Sequence, residues 1–141
     1  MADMCSNKMY ITGPKDVIDD FMNAARGPTA SGEDSWLSFH KLHPDPHMPL
    51  DPIPKTIDWY NWRIKNWGTK WETVARTPDF STLDNLRNQR TYSFDTAWAP
   101  PKAFVKYVSR KWPTIEFELK YHDRSTNRSG RFKYKAGTCL K

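Results

Sequence analysis

The chain has 141 residues, which suits one domain and is too short for two ordinary ones. Val, Ile and Leu are scarce, but Phe, Trp and Tyr make up 14% of the sequence, and a few large rings can close a core. No segment approaches the roughly 18 consecutive apolar residues of a membrane helix, and the N-terminus lacks the apolar run of a signal peptide. We therefore expect a soluble single domain, residues 1–141, in the cytoplasm.

The net charge of +6 is concentrated near the C-terminus. Residues 102–141 carry 11 Lys and Arg against 3 Asp and Glu, whereas residues 1–101 carry 11 against 13. Such a local positive surface can steer an acidic partner, protein or nucleic acid, or it can simply keep the protein in solution. Cys5 and Cys139 do not form a metal or redox pair, so we expect free thiols in a reducing compartment.

The first predicted unit is a strand followed by a helix, between residues 4 and 27. Alternation over residues 4–12 predicts a strand with Asn7, Met9 and Ile11 on one face. Gly13-Pro14 ends that strand and begins the helix, since proline suits a helix start, and Gly27-Pro28 ends the helix. The apolar stripe of this helix consists of Val17, Ile18, Phe21 and Ala25.

A second unit of the same design occupies residues 90–113. Tyr92 and Phe94 alternate with polar residues in a predicted strand, and Pro100-Pro101 separates it from a helix. Two such units over one sheet predict an α+β, ferredoxin-like fold, an antiparallel sheet with two helices packed on one face. Counted from Pro14 and from Pro101, the apolar positions of the two helices coincide, and in the second helix they are Phe104, Val105, Val108 and Trp112.

An insertion of roughly residues 28–89 separates the two units. We predict a strand over residues 35–41, an extended proline-rich segment, and a Trp-rich helix that begins at Thr56 and is closed by Gly68. One side of this helix carries Tyr60, Ile64 and Trp67. A strand over residues 71–77 and an exposed excursion or short helix over residues 78–89 complete the insertion. We expect its tryptophans to be core residues and not a base-stacking platform: Trp59, Trp62, Trp67 and Trp71.

A C-terminal β-hairpin completes the predicted fold. Ile115, Phe117, Leu119 and Tyr121 alternate with charged residues in the first strand. After a turn over residues 125–130, the chain returns over residues 131–135, with Phe132 on the apolar face. The other face brings three cations near two carboxylates, which partly neutralises the positive surface: Arg131, Lys133 and Lys135 with Glu116 and Glu118.

Catalysis and metal binding find little support in the sequence. His40, His43 and His47 lie near Asp45 and Asp51, but the intervening prolines hold the chain extended and no Cys joins them. We therefore predict a polar, proline-stiffened loop without a physiological metal. The chain has no nucleophile elbow, HExxH motif or phosphate-binding glycine loop, so we predict no enzyme and no cofactor. A metal-dependent enzyme that uses the three histidines stays open as an alternative.

Several segments taken together resemble the YubB-type ferredoxin-like family. The resemblance implies a ferredoxin-like fold carried by phages, plasmids and the bacteria that host them, and it implies no activity. It does not extend to the basic segment of residues 124–141. The segments that carry it are Cys5-Ser6-Asn7 with Gly13-Pro14, residues 37–44, the Trp-Gly-Thr-Lys-Trp run within residues 59–71, Phe94 to Pro101 with its Trp-x-Pro-Pro element, and residues 117–121.

We hypothesise that the chain acts by binding and performs no chemistry. In its most concrete form it is a phage or mobile-element protein that inhibits a bacterial defence complex, such as an anti-CRISPR protein, by occupying a site on a host protein. The alternative is a nucleic-acid-binding accessory protein whose basic residues contact phosphates, which a steep salt dependence would reveal. In either case the predicted partner-binding residues are Arg124, Arg128, Arg131, Lys133 and Lys135.

Overall fold

The computed structural model describes residues 4–29, 32–46, 58–69 and 74–140, except for the side chain of Asp58. No helix in these ranges is both long enough and apolar enough to cross a membrane. The strands and helices, in chain order, are β1 (Met4–Pro14), α1 (Lys15–Ala25), β2 (Gly27–Pro28), β3 (Asp34–Ser35), α2 (Phe39–Leu42), α3 (Asp58–Asn66), β4 (Asp79–Thr82), β5 (Arg87–Ala97), α4 (Lys102–Lys111), β6 (Glu116–Asp123), β7 (Arg128–Lys135) and β8 (Thr138–Cys139).

The main sheet has six antiparallel strands in the order β4-β5-β1-β6-β7-β8, while β2 and β3 form a separate small sheet. β1 lies between β5 and β6, and its alternation buries Cys5, Asn7, Met9 and Ile11, as the sequence predicts. Two crossovers organise the sheet: α1 and the insertion link β1 to β4 with β5 between them, and α4 links β5 to β6 with β1 between them. This is the ferredoxin-like arrangement, which confirms the predicted α+β fold class.

The two crossover helices pack on the same face of the sheet. α1 buries Ile18 and Phe21, and α4 buries Phe104, Val105 and Val108, as the matched apolar positions predict. Each helix begins directly after a proline, at Lys15 and Lys102. The ring of Phe21 meets those of Tyr92 on β5 and Phe117 on β6 edge-on, at centroid distances of 6.4 and 5.5 Å.

The described core is built mainly from Phe and Ile, with Tyr, Leu and Val, and not from indole rings as the sequence suggested. Among the described tryptophans, only Trp67 is fully buried. Trp59 and Trp62 are half-buried, and Trp71 lies outside the described residues. The expectation of a tryptophan core therefore holds for Trp67, whereas Trp62 packs against the core from a half-buried position.

The predicted strand over residues 35–41 is wrong, since only Ser35 belongs to a strand and a short helix, α2, begins at Phe39. Ser38 caps this helix, because its hydroxyl oxygen accepts a hydrogen bond from the Lys41 N–H at 3.0 Å. The helix turns Phe39 inward, where its ring stacks on Phe104 at 3.8 Å. The insertion is thereby part of the main core.

α3 also differs from its prediction. Gly68 does follow it, with a φ of +83°, but Thr56 lies outside the described residues. Ile64, expected on the packed side, is 41% exposed, and the buried positions are Arg63 and Trp67. The helix is rotated relative to the predicted one because it buries a cation in place of an aliphatic side chain.

A buried ion pair joins α3 to the segment after α2. Arg63 Nε donates to Asp45 Oδ2 at 2.8 Å, and the two side chains are 4% and 0% exposed. The guanidinium also lies 5.1 and 4.9 Å from the ring centroids of Trp59 and Trp67. The pair therefore holds two parts of the insertion together in a place where water cannot replace either partner.

Two further predictions for the insertion are wrong in whole or in part. Within the predicted strand over residues 71–77, residues 74–77 form no strand, and residues 71–73 lie outside the described part. Residues 78–89 are largely exposed, as predicted, but they form no helix: they contain the edge strand β4, a connecting segment and the first residues of β5. All four residues of β4 are exposed, so this strand lacks the apolar alternation by which a sequence reveals a strand.

The C-terminal hairpin is confirmed and is longer than predicted. β7 begins at Arg128, so the turn is shorter than residues 125–130, and Glu118 pairs directly with Lys133. Phe132 and Tyr134 are buried on the apolar face. β8 then adds a two-residue strand beyond β7.

The two cysteines are free thiols in different environments. Cys5 is 0% exposed on β1, and burial, followed by the nearby carboxylates of Asp123 and Asp95, raises the pKa of its thiol to about 11. We expect a thiol reagent at pH 8 to modify exposed Cys139 quickly and Cys5 only on unfolding, because the thiolate is the reactive form. Counting modified thiols in the native chain and in Cys139→Ser tests this. Fast modification of the native serine variant would contradict it.

Candidate functional site

One face of the sheet carries the helices, and the other, which we call the open face, is not covered by any described helix. Strand alternation places Lys8 and Tyr10 of β1 on the open face, while their neighbours Met9 and Ile11 are buried beneath the helices. The same alternation holds in β5, β6 and β7. The side chains on the open face are therefore directed away from the helices, and exposed ones such as Lys8, Lys120 and Arg131 are available to a partner.

The open face contains a groove of about 610 Å³ at the end of the sheet where β1 begins. This volume lies within the roughly 300–1,000 Å³ of typical ligand sites. The lining is contributed by β1, β5, β6 and β7, and its polar side chains include Lys8, Asp95, Lys120, His122, Ser129 and Arg131.

The strand register aligns three cations across this groove. Lys8 on β1 lies directly opposite Lys120 on β6, and Lys120 lies directly opposite Arg131 on β7. We call these three residues the cationic row. Like charges in directly opposed positions repel each other, so the row is unfavourable for the sheet itself. Lys120 Nζ lies 5.2 Å from the ring centroid of Tyr10, and Arg131 approaches Glu118 at 3.9 Å.

The other polar groups around the groove are held in place by local contacts. Arg124 donates to Ser6 Oγ at 2.7 Å and to Asp95 Oδ1 at 3.0 Å, which ties the hairpin turn to β1 and β5. The hydroxyl and N–H of Ser125 donate to Asp123, which lowers the pKa of that carboxyl and fixes the turn that carries Arg124. The groove rim is thus defined before any partner arrives.

The predicted partner-binding residues separate into two groups. Arg131, Lys133 and Lys135 share the open face, and the Arg124 guanidinium reaches its rim. Arg128 alternates onto the opposite side of β7, across from Asp123. The predicted partial neutralisation of these cations is also present. Arg131 and Glu118, and likewise Lys133 and Glu116, are diagonal neighbours across β6 and β7 whose charged atoms lie 3.9 Å apart.

Sequence reasoning missed Lys8, Lys120 and His122, which lie beside the predicted cations. His122 Nδ1 is 2.8 Å from Ser129 Oγ, in a cross-strand pair beside the cationic row. The alternation of β1 and β6 already placed these residues on the polar face. Lys8 and Lys120 are more than a hundred positions apart in the sequence, so only the pairing of β1 with β6 could show that they meet.

The described histidines of the proposed metal cluster have separate packing roles. His40 Nδ1 accepts the N–H of Asp45 at 3.2 Å. The His43 ring stacks on Tyr107 at 3.5 Å, and burial, together with Lys111, lowers its pKa. His47 and Asp51 lie outside the described residues, and within the described ranges no three potential ligands form a metal-binding group.

Comparison with known proteins supports the fold and does not assign an activity. Residues 66–141, more than half of the chain, match the family model described as the ferredoxin-like domain in Api92-like protein. The crystal structure of the protein api92 from Yersinia pseudotuberculosis aligns over 100% of this chain and 97% of that one, with a TM-score of 0.64 and 9% identity, a likeness of fold alone. No curated protein matches the chain.

Proposed function

The chain belongs to the family of ferredoxin-like domains in Api92-like proteins, and we propose that it is a non-enzymatic binding protein whose open face docks on an acidic surface of a bacterial protein complex. The cationic row is the observation that carries this proposal. The more specific form, a phage or plasmid protein of YubB type that inhibits a cytoplasmic defence system in the manner of an anti-CRISPR protein, rests on the sequence resemblance.

The cationic row favours an anionic partner on electrostatic grounds. Lys8, Lys120 and Arg131 lie on neighbouring strands, about 5 Å apart, so each is repelled by the next. A carboxylate placed over Lys120 would interact favourably with all three cations and form charge-assisted hydrogen bonds. The sheet thus tolerates an internal repulsion that a bound acidic group removes.

The mixture of charges on the open face favours a protein over a nucleic acid. Asp95, Glu116 and Glu118 share this face with the cations, so an extended phosphate backbone would meet carboxylates on both sides of the row. Tyr10 is half-buried and covered by Lys120, which makes it a poor platform for stacking bases. A protein surface with a few acidic side chains fits the alternation of charges better.

The proposal is tested by affinity purification from a bacterial host with the native chain and two charge-matched variants. Lys120→Glu reverses the centre of the row, and Lys15→Glu makes the same charge change in the exposed first turn of α1, on the other side of the sheet. We expect one host complex to co-purify with the native chain and with Lys15→Glu, and to be lost with Lys120→Glu. Circular dichroism of both variants checks that they fold.

Two results would overturn the proposal. One is that Lys120→Glu and Lys15→Glu recover the same amount of the host complex, or that neither variant recovers any complex. The other is binding to an unrelated oligonucleotide that falls by orders of magnitude between about 50 and 200 mM salt and depends on Lys120, which would identify a phosphate-binding surface instead.

A further inference from the structure

A second basic site lies on the helix side of the sheet, remote from the groove on the open face. α3, α4 and His43 line an open pocket of about 190 Å³. Three of its lining side chains are cations, Lys65 from α3 and Lys106 and Arg110 from α4. The remaining lining residues are His43, Asn66, Ala103 and Tyr107, so the pocket contains no carboxylate.

These cations differ from Arg131 and Lys133 of the C-terminal hairpin in having no ion pair with a described carboxylate. Within the described ranges, none of Lys65, Lys106 and Arg110 takes part in an ion pair, whereas Arg131 and Lys133 each approach a glutamate. Lys106 and Arg110 are four residues apart on α4, where like charges repel each other, and α4 has no Asp or Glu to offset them. Within the described residues, three cations therefore meet at this pocket without an ion pair to offset their charge.

Packing holds two sides of the pocket in position. Gly137, with a φ of +82°, brings the β7–β8 turn against Arg110, since a Cβ at that glycine would lie 3.3 Å from Arg110 Nε. The Gly137 N–H donates to Ser109 Oγ at 3.0 Å and fixes this turn on α4. On the other side, the His43 ring lies flat on Tyr107, and its Nδ1 is buried without a hydrogen-bond partner among the described residues.

We infer that this pocket binds the terminal phosphate group of a phosphorylated ligand, with Lys65, Lys106 and Arg110 as its cationic contacts. Its volume corresponds to about six water molecules, which suits a tetrahedral oxyanion and is too small for an entire nucleotide. Lys and Arg are the side chains that recognise phosphate through charge-assisted hydrogen bonds.

NMR titration of the full chain with inorganic phosphate tests the inference, with chloride at equal ionic strength as the reference. We expect saturable shifts at Lys106, Tyr107 and Arg110. Lys106→Gln should weaken binding about tenfold, as expected for the loss of one charged contact. Lys102→Gln, one turn earlier on α4 and outside the pocket lining, should leave binding unchanged. Chemical-shift changes that do not saturate, or that chloride reproduces, would overturn the inference. An equal weakening of phosphate binding by both variants would also overturn it.

Two further arms identify the source of the phosphate. A nucleoside 5′-monophosphate is compared with its nucleoside, and a 5′-phosphorylated oligonucleotide with its 5′-hydroxyl form. If either phosphorylated compound binds more tightly than its own unphosphorylated form, the site is supported and the ligand class is identified. If neither does, a terminal-phosphate site is contradicted. Lys120→Glu, on the open face, should bind phosphate like the native chain, so this site and the proposed partner surface succeed or fail separately.

Discussion

Replacing Arg63 with Met is expected to lower the free energy of unfolding by about 3–5 kcal/mol, because the buried Asp45 carboxylate then loses its ion pair with the Arg63 guanidinium. The contact is short, at 2.8 Å, and both side chains are almost completely shielded from water. The substitution also removes a cation from between the rings of Trp59 and Trp67. The loss is a large part of the roughly 5–15 kcal/mol that stabilises a typical domain. Urea denaturation at pH 7 measures it.

An exposed ion pair provides the control for this experiment. Arg26 and Asp34 are 3.7 Å apart, and their side chains are 50% and 66% exposed, so Arg26→Met should cost no more than about 1 kcal/mol. The double variant Asp45→Asn, Arg63→Met should lose less than the sum of the two single changes, since it removes the buried carboxylate charge together with the Arg63 cation. If Arg63→Met costs no more than Arg26→Met, the buried pair does not hold the insertion in place.

Phe39→Ala is the second change with a large expected effect, a loss of about 3–5 kcal/mol. The ring is 1% exposed, stacks on Phe104 at 3.8 Å, and meets Trp67 and Phe94 edge-on at 5.7 and 5.8 Å. Its removal opens a cavity where the insertion, α4 and β5 meet. Thermal and urea denaturation give the change in stability.

Phe80→Ala is the matched control, because the same side chain is 72% exposed on β4. Its loss should change the free energy of unfolding by no more than about 0.5 kcal/mol. Similar losses for the two variants would mean that the insertion packs loosely on the core. A large loss for Phe39→Ala alone would show that the insertion folds as part of the domain.

The two crossover units could be predicted because their signals are local. The positions Ile18 and Phe21, and likewise Val105 and Val108, repeat at helical spacing after a proline, and each helix buries them as the spacing requires. The alternation of β6 is equally local and was also correct. Where a single element carries a complete apolar face, the sequence specifies both its type and its orientation.

The errors arise where tertiary contacts replace local patterns. β4 is exposed along its length and is a strand only because it pairs with β5. Residues 35–41 are too short to separate strand from helix by periodicity, although Ser38 was a cap signal that could have been recognised. The ion pair of Arg63 with Asp45 spans 18 residues and follows no pattern.

The candidate sites were only partly accessible from the sequence for the same reason. The hairpin placed Arg131 and Lys133 on one face correctly, because a hairpin fixes its own register. Lys8 and Lys120 meet through a long-range pairing, and Lys65 meets Arg110 only because α3 packs on α4. A surface assembled from distant segments has no signature in any one of them.

The central position of β1 has a consequence for the order in which the protein can form. Both neighbours of β1 come late in the chain, since β5 ends at Ala97 and β6 at Asp123. At roughly 5–20 residues per second, a ribosome needs about 4–17 seconds after finishing β1 to complete β5. During that interval β1, which becomes the middle of the sheet, has neither of its partner strands, so the sheet can form only after the second half of the chain has emerged.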